Sequence, residues 1–519
     1  MKTPSLCNAS ENSSPAKEQP SEPQESRGEC RSEEKTDSLR TVPDEVELKK
    51  TAKLPEFILK EIRTLEGVSY YHGMAARDLV ETKLTRCGDY LVRATDNRIM
   101  EFEFILSVFN KKRIHSHLTI KADVAGPKWC LGILAVNQFD SIIDLVNFYK
   151  THPIGVGFFL KRAMSKGKHM IAHDRIKYSS KDDLLGSGNF SDVFRGKMEL
   201  ETQTVKVALK NTKKLDELLD VRKNSNANKV KKEMIQEAEV MSQLRHTNIT
   251  AFFGMAADRF PVLLVIEFCN GGNLETHIMK HGLSITHSER MLYLHDTSAG
   301  LKYIHSMSIT HRDIAARNCL ISVNGFVKLS DFGMGVKVRR NEENMVTTPG
   351  MHCPARWMAP ELMWKNKPVF SKMSDVWSLG ILTYEIFTNC TKPFYELENY
   401  EAMKALRAGK HPPIPVNSGP CVSNLLKQTF RLEPTDRVTA EMFHNTLHAH
   451  CVENDMLTLQ GLTLNLVPDV CRKRLEHWDE YVPQVVICDK NGNEKEWGNA
   501  PSEMLANIVW KGKETKSEK

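Results

Sequence analysis

Apolar positions are unevenly spread along the chain. Residues 1–52 contain no aromatic side chain and are rich in Ser, Glu, Pro and Lys. Such a segment buries too little apolar area to offset its ordering entropy, so a disordered tail is expected over 1–55. From Phe57 the pattern turns globular, and a first block with mixed strand and helix signals runs to about residue 162. A polar stretch, "RAMSKGKHMIAHDR", then reads as a linker over 163–177, followed by a larger block over 178–447. There "TVKVALK" alternates Val205, Val207 and Leu209 against Lys206, Ala208 and Lys210, the period of a strand. In "KVKKEMIQEAEVMSQLR", Val230, Met234, Ala238, Met241 and Leu244 recur at helical spacing. The remainder, 448–519, includes "VVICDKNGNEKEW", a strand, a turn signal and further strand-like residues, so part of it is expected to fold. No internal repeat is visible.

Composition narrows the class. The 519 residues suggest two to four domains of an α+β multidomain protein. The longest apolar run, near Phe260 to Ile266, is closed by Arg259 and Glu267 and is far short of a membrane span. The N-terminus lacks the apolar core of a secretory signal, and Lys2 excludes a myristoylated glycine. The twelve cysteines include no C-x-x-C pair, which points to reduced thiols in the cytosol. Net charge is +6 overall, but residues 1–50 hold eight Lys/Arg and eleven Asp/Glu. Weak peripheral attraction to anionic lipid is one reading of the basic remainder, and a solvated surface is the other. No cluster of basic and aromatic residues points to nucleic acid.

The second block carries the chemistry. In "LLGSGNFSDVFRG", 184–196, glycines allow backbone N–H groups to approach phosphates, although many such loops are simple turns. It leads into the strand ending at Lys210, a residue suited to the α/β-phosphates of ATP or, taken alone, to solvent. Glu237 lies within the apolar helical stripe, whereas Glu239 points away. A carboxylate on a core-facing stripe needs a cation, for which Lys210 is the natural choice; the alternative is a helix-edge glutamate reaching solvent. "HRDIAARN", 311–318, is far more specific. It supplies Asp313 to orient and deprotonate a hydroxyl and Asn318 to bind magnesium. "SDFG", 330–333, supplies Asp331 as a second magnesium ligand, and "APE" follows at 359–361.

These motifs, in this order, resemble a protein kinase domain of the tyrosine-specific type, which is bilobal. Arg317 stands where serine/threonine kinases usually have lysine two residues after the aspartate, and "CPARWMAPE" resembles the loop that receives a flat phenol. The resemblance implies ATP contacts at Leu185, Gly186, Ser187, Gly188, Asn189, Phe190, Ser191, Val193 and Ala208. It also implies a gatekeeper at Ile266, adenine contacts through the backbone of Glu267 and Cys269, a Glu361–Arg437 ion pair, and Asp375 holding the catalytic loop.

In the first block, "DYLVRAT" places Arg93 on the same face as Leu91. A buried arginine needs an anion, either a phosphate matched by its planar fork or a carboxylate, and the strand alone leaves both open. The segments "YYHGMAARDL", "GDYLVRAT", "LSVFNKKRIHSHLTI" and "FDSIIDLVNFYKTHPIG" resemble an SH2 domain over 70–162, an antiparallel sheet flanked by two helices. That resemblance implies phosphotyrosine contacts from Arg77, Arg93, Thr95 and His117. An SH2 domain followed by "GSGNFSDVFRG" and "DFGM" most resembles the Fes/Fer group of non-receptor tyrosine kinases, in a compact form without the membrane-bending F-BAR region.

The chain departs from that pattern in several places. Ser191 replaces the third glycine of the phosphate loop, Thr429–Phe430 and Arg437–Val438 replace the usual pairs of the second lobe, and "DVRKNSNANKVKK" reads as an inserted charged surface loop. None of the eleven tyrosines lies between Tyr303 and Tyr384. The family's activation-segment tyrosine falls near Glu342, Glu343 or Asn344. Three readings stay open: these carboxylates attract Arg312 in place of a phosphate, the loop is solvated, or Thr347 and Thr348 are phosphorylated. The function expected is a cytoplasmic tyrosine kinase using ATP and magnesium on protein tyrosines. Its SH2 domain would recruit it to phosphotyrosine proteins, including those at the inner face of the plasma membrane. A scaffold without catalysis and a kinase of serine/threonine or dual specificity are the competing readings.

Overall fold

The computed structural model describes residues 54–96, 102–110, 114–122, 128–132, 134–155, 158–167, 169–187, 191–212, 225–259, 261–337, 345–346, 355–363, 369–459, 472–473, 482–489 and 493–505. The tail over 1–53 and residues 338–344 and 347–354, with the activation-segment positions Glu342, Glu343, Asn344, Thr347 and Thr348, lie outside them. Gly188, Asn189 and Phe190 do too. Among the described residues no helix is long and apolar enough to cross a membrane.

The first block opens with α1 (Glu56–Glu66), whose Ile58, Ile62 and Leu65 form a buried stripe, and continues with α2 (Arg77–Lys83). Its sheet comprises β1 (Asp89–Asp96), β2 (Phe102–Phe109), β3 (His115–Ala122), β4 (Trp129–Leu131), β5 (Leu134–Phe139) and β6 (Arg162–Ala163), in the order β5-β4-β3-β2-β1-β6. All neighbours are antiparallel except β6, which runs parallel to β1. Tyr90 and Val92 of β1 face a core shared with Phe104, Leu106 and Trp129 and with Leu145 and Tyr149 of α3 (Ile142–Thr151). Leu91 faces the other way, against Val80 and Leu84 beside α2. This alternation puts Arg93 on the α2 face.

The second block begins with β7 (Ile176–Lys177), β8 (Leu184–Ser187), β9 (Ser191–Glu199), β10 (Thr204–Thr212), β11 (Phe252–Ala256) and β12 (Leu263–Glu267). The helix α4 (Ser225–Met241) lies between β10 and β11 in sequence and buries Met234, Ala238 and Met241 in a core shared with Phe252 and Leu264. The segment read as an inserted loop is therefore helical from Ser225 onward; the helix starts five residues before Val230, where its apolar stripe begins. A helical half follows: α5 (Leu274–His281), α6 (His287–Ser306), α7 (Lys372–Phe387), α8 (Asn399–Arg407), α9 (Gly419–Thr429) and α10 (Ala440–Glu453). Both α6 and α7 are buried along nearly their whole circumference, as central helices are. Two ribbons, β13 (Ile309–Thr310) with β16 (Val336–Lys337) and β14 (Cys319–Ile321) with β15 (Val327–Leu329), frame the motif loops. Two smaller ribbons pair β17 (Met345–Val346) with β18 (Val369–Phe370) and β19 (Thr458–Leu459) with β20 (Arg472–Lys473).

The stretch read as a linker is built into both sheets. Arg162 and Ala163 form β6, while His169 and Ile171 exchange backbone bonds with Met255 at the edge of β11. The blocks also touch directly. The Tyr71 hydroxyl donates to Asp258 O at 2.9 Å, and Met74 N donates to Ala257 O at 2.6 Å. Gly73, at φ +55°, permits this approach; a Cβ there would sit 2.1 Å from Ala257 O.

The C-terminal region returns to the sheet. β21 (Gln484–Cys488) and β22 (Glu494–Asn499) form the hairpin expected from the sequence, and β21 pairs with Thr204 and Val205 of β10. Val485, Ala500 and Met504, the last on α11 (Ser502–Leu505), join a core with Val205, Val207 and Leu209. Ion pairs Lys206–Glu494 and Arg175–Glu503 reinforce the seam.

Candidate active site

Strand β10 and helix α4 present Lys210 and Glu237 to one another, and both side chains are buried. Lys210 Nζ lies 2.8 and 2.9 Å from the two Glu237 oxygens and 2.8 Å from Asp331 Oδ1. Burial opposes the ammonium, but the adjacent Asp331 and Glu237 carboxylates outweigh it and raise the Lys210 pKa. The charge of Lys210 holds the Asp331 carboxyl down at about 2. Burial, only partly offset by Lys210, raises that of Glu237. Asp331 sits at φ 61°, a left-handed conformation uncommon outside glycine and asparagine. At Gly333 a Cβ would stand 3.2 Å from Asp331 Oδ1 and 3.5 Å from Lys210 Nζ, so the missing side chain keeps the cradle open.

The "HRDIAARN" loop joins this group. Asn318 Nδ2 donates to Asp313 Oδ2 at 2.7 Å and to Asp313 O at 2.9 Å. Arg317 reaches Asp313 Oδ1 at 2.5 Å and stacks its guanidinium 4.7 Å from the Trp357 ring centroid. Ser330, the residue before Asp331, donates its hydroxyl and its N–H to Asn318 O, and its own carbonyl contacts His311 Nε2 at 3.0 Å. The two segments proposed to hold metal are thus hydrogen-bonded to each other. From α7, the buried Asp375 accepts the backbone N–H groups of His311 at 2.8 Å and Arg312 at 2.9 Å, with His305 Nε2 at 3.0 Å. Glu361 and Arg437 form a bidentate pair, with 2.7 Å in both bonds.

The other residues expected around a nucleotide line the same sheet. Ala208 is paired with Ile266 across β10 and β12, Val193 packs on the core, and Leu185 is exposed. Gly186 and Ser187 pair with Val193 and Asp192, and Ser191 opens β9 opposite Thr212. Glu267 and Cys269 are buried, and burial pushes the Cys269 thiol up. The Glu267 carboxylate has a second role that the motif did not reveal: it forms an ion pair with the fully buried Lys328 at 3.1 Å and accepts Ala251 N at 3.0 Å. Glu385, also unforeseen, accepts the Ala316 N–H at 3.0 Å, and burial raises its carboxyl to about 7. Its signal in the sequence was a lone glutamate within the apolar run of α7.

In the first block, Arg93 is 7% exposed, and among the described residues its guanidinium donates to a neutral hydroxyl, Ser107 Oγ, at 3.3 Å. Burial and the neighbouring Arg77 charge lower its pKa to about 10. Ser107 contacts His117 Nδ1 at 2.9 Å, and His117 Nε2 lies 3.0 Å from Glu81 Oε1. Arg77 reaches the same Glu81 oxygen at 2.8 Å, and Thr95 lies further along β1 on the face of Arg93. All four expected residues gather on the α2 face. Ser107 and Glu81 were not foreseen, although a lone hydroxyl in "FEFILSVF" was a visible signal.

Comparison with known proteins agrees with this geometry. The family model for protein tyrosine and serine/threonine kinases matches residues 180–447. Fer-related kinase 1 of Caenorhabditis elegans is 27% identical over 402 residues, 75% of this chain and 95% of the relative. The tyrosine-protein kinase transforming protein Fps of avian sarcoma virus (strain PRCII) is 30% identical over 388 residues, 73% and 67% of the two chains. Human tyrosine-protein kinase Fer is 27% identical over 390 residues, 74% and 44%. The chain therefore belongs to the protein tyrosine kinases, in the Fes/Fer group.

Proposed function

We propose that the chain is an active tyrosine kinase that transfers the γ-phosphoryl group of ATP to tyrosine hydroxyls of proteins, and that residues 70–162 are an SH2 domain that reads phosphotyrosine. The observation that carries the first part is the linkage of two groups, Lys210 with Glu237 and Asp331, and Asp313 with Asn318, through the bonds that Ser330 beside Asp331 donates to Asn318 O. Lys210, held by Glu237, exchanges its bond to Asp331 for ATP phosphate oxygens. The Asp331 carboxylate and the Asn318 amide oxygen are the hard donors that suit magnesium. When bound, magnesium neutralises phosphate charge. Asp313, fixed by Arg317 and Asn318, accepts the proton of the attacking phenol. Trp357, stacked on Arg317, supports a platform for that phenol.

For the second part, the buried guanidinium of Arg93 beside neutral Ser107 supports an anion as its missing partner. A phosphate satisfies the fork, with Arg77, Thr95 and His117 at its rim. Recruitment through such a site would bring a cytoplasmic kinase to already modified proteins, including those at the inner face of the plasma membrane.

The test is phosphate transfer from ATP to a Glu/Tyr polymer, with Asp313→Asn as the control and phosphoamino-acid analysis of the product. Phosphotyrosine formed by the wild type and abolished in the variant is expected; a wild type no faster than the variant makes the chain a scaffold. Binding of tyrosine-phosphorylated peptides, lost in Arg93→Leu, tests the SH2 reading separately.

A further inference from the structure

On the helical half, away from every motif used above, three imidazoles meet. His444 and His448 stand one turn apart on α10, and His295 faces them from α6. One ligand nitrogen from each lies within 4.8 Å of the others. Two of these rings already touch nitrogen to nitrogen, His295 Nε2 to His448 Nδ1 at 3.0 Å. That is close to the roughly 3.3 Å between nitrogens on one tetrahedral zinc with bonds of about 2.0–2.1 Å. We propose that His295, His444 and His448 form a transition-metal site, taking Zn2+, that clasps α10 to α6.

Three features support a metal over ring packing. Histidines at positions i and i+4 of a helix project to one side, the spacing that helical zinc sites use. Supporting groups of the usual kind are in place. Ser298 Oγ lies 3.0 Å from His444 Nδ1, which leaves its Nε2 for a metal. The Asp296 carboxylate lies 3.6 Å from His295 Nδ1. Finally, His295 Nδ1 is buried and, among the described residues, has no hydrogen-bond partner. Binding of His295 to a metal through Nε2 fixes the proton on Nδ1 and lets that N–H close on Asp296, and the unmet polar atom is satisfied. Three imidazoles leave a fourth position for water, so this is a site with an open corner. It braces the helix from which the chain departs toward the hairpin on the sheet.

The experiment uses the full chain, stripped with a chelator, and titrates Co2+ and then Zn2+ as the metals alone. One equivalent of Co2+ is expected to give the visible ligand-field bands of a tetrahedral nitrogen site, and Zn2+ to displace it and raise the melting temperature by several degrees. His448 is exposed and His444 half-buried; the far-UV circular dichroism of His444→Gln with His448→Gln checks that the fold is retained, and His450→Gln on the same helix is the control. The double variant should lose the bands and weaken Zn2+ by more than the roughly 10–100-fold seen when only a ligand's supporting group is removed. The control should match the wild type. Three outcomes overturn the proposal: no bands in the wild type, equal Zn2+ affinity and melting shifts in wild type and double variant, or thiolate charge-transfer bands that persist in the double variant and assign the metal to cysteines.

Discussion

Asp375 is one side chain on which the backbone of the "HRDIAARN" loop hangs, and Asp375→Asn isolates its charge at constant shape. Its Oδ2 accepts His311 N and contacts His305 Nε2; its Oδ1 accepts Arg312 N. An amide offers one acceptor oxygen. With that oxygen toward His311, its NH2 confronts the Arg312 N–H; flipped, it confronts that of His311, while His305 can change tautomer and accept. Either way one buried backbone N–H loses its acceptor, at about 1–3 kcal/mol, and the surviving bond loses its charge assistance. Arg312 sits at φ 73°, a left-handed conformation that costs a side-chain-bearing residue about 1–2 kcal/mol and that these bonds hold in place. The lost acceptor and the weakened bond together cost about 2–4 kcal/mol, which lowers the melting temperature by roughly 5–15 °C for a domain of this size. Released, the loop shifts Asp313, the residue after Arg312, and a displacement near 1 Å costs about 100-fold in turnover. Thermal melting and kcat on a Glu/Tyr polymer are the readouts. A variant that melts within a degree of the wild type and turns over within twofold refutes the reasoning.

Gly73→Ala places a Cβ 2.1 Å from Ala257 O, so the junction between the blocks must open; faster limited proteolysis within residues 163–177 is expected, and an unchanged cleavage rate counts against it. Met504→Ala empties a fully buried position under the C-terminal hairpin and should cost about 2–5 kcal/mol, seen as a lower urea midpoint and faster amide exchange at Thr204 and Val205. Burial lowers His72 to about 4, His246 to about 3 and His277 to about 4. Their folded values lie below the unfolded 6.5, so their contribution is present above pH 6.5 and is lost as pH falls toward 4, by about 1.4 kcal/mol per site per pH unit. Glu385, raised to about 7, works in the opposite direction over this window, so the check compares urea midpoints at pH 7 and pH 5 in the wild type and in His277→Gln: an identical pH dependence in the two would exclude the histidine contribution.

What the sequence revealed and what it hid divide by range. Lys210 and Glu237 were legible because each sits on a periodic element: the strand alternation and the helical stripe together aimed one at the other. Asp313, Asn318 and Asp331 stood out as motifs, and the fold joins their two segments through Ser330; the roles proposed for them rest on that spacing. Buried charges at other positions were harder to read. Lys328 lies between Val327 and Leu329 in a short apolar strand, and Glu385 within an apolar helix; each announces a polar partner but does not name it. In the first block, the strand left open whether Arg93 meets a phosphate or a carboxylate. The fold supplies a hydroxyl and a histidine but, among the described residues, no carboxylate in contact with it. Arg77 was matched to phosphate by resemblance alone, and in the structure it engages Glu81, a neighbour one turn along α2 that helical spacing could have predicted.

The pairing of β21 with β10 was beyond sequence reasoning, because the hairpin's own alternation fixes only its internal register, and an edge pairing leaves no local mark on either partner. Yet it bears on catalysis. Strand β10 carries Lys210 near one end and meets β21 at the other, so the lysine's strand is fixed by β9, by β12 and by residues that follow the last helix of the kinase domain. The chain thus returns from the helical half to the strand that holds Lys210, the lysine proposed to meet ATP. If that connection only adds stability, Met504→Ala lowers the urea midpoint and leaves kcat and KM for ATP unchanged at temperatures where the protein is folded. If it sets how the two halves close on a nucleotide, KM for ATP rises while the protein remains folded, and the two cases separate in one set of measurements.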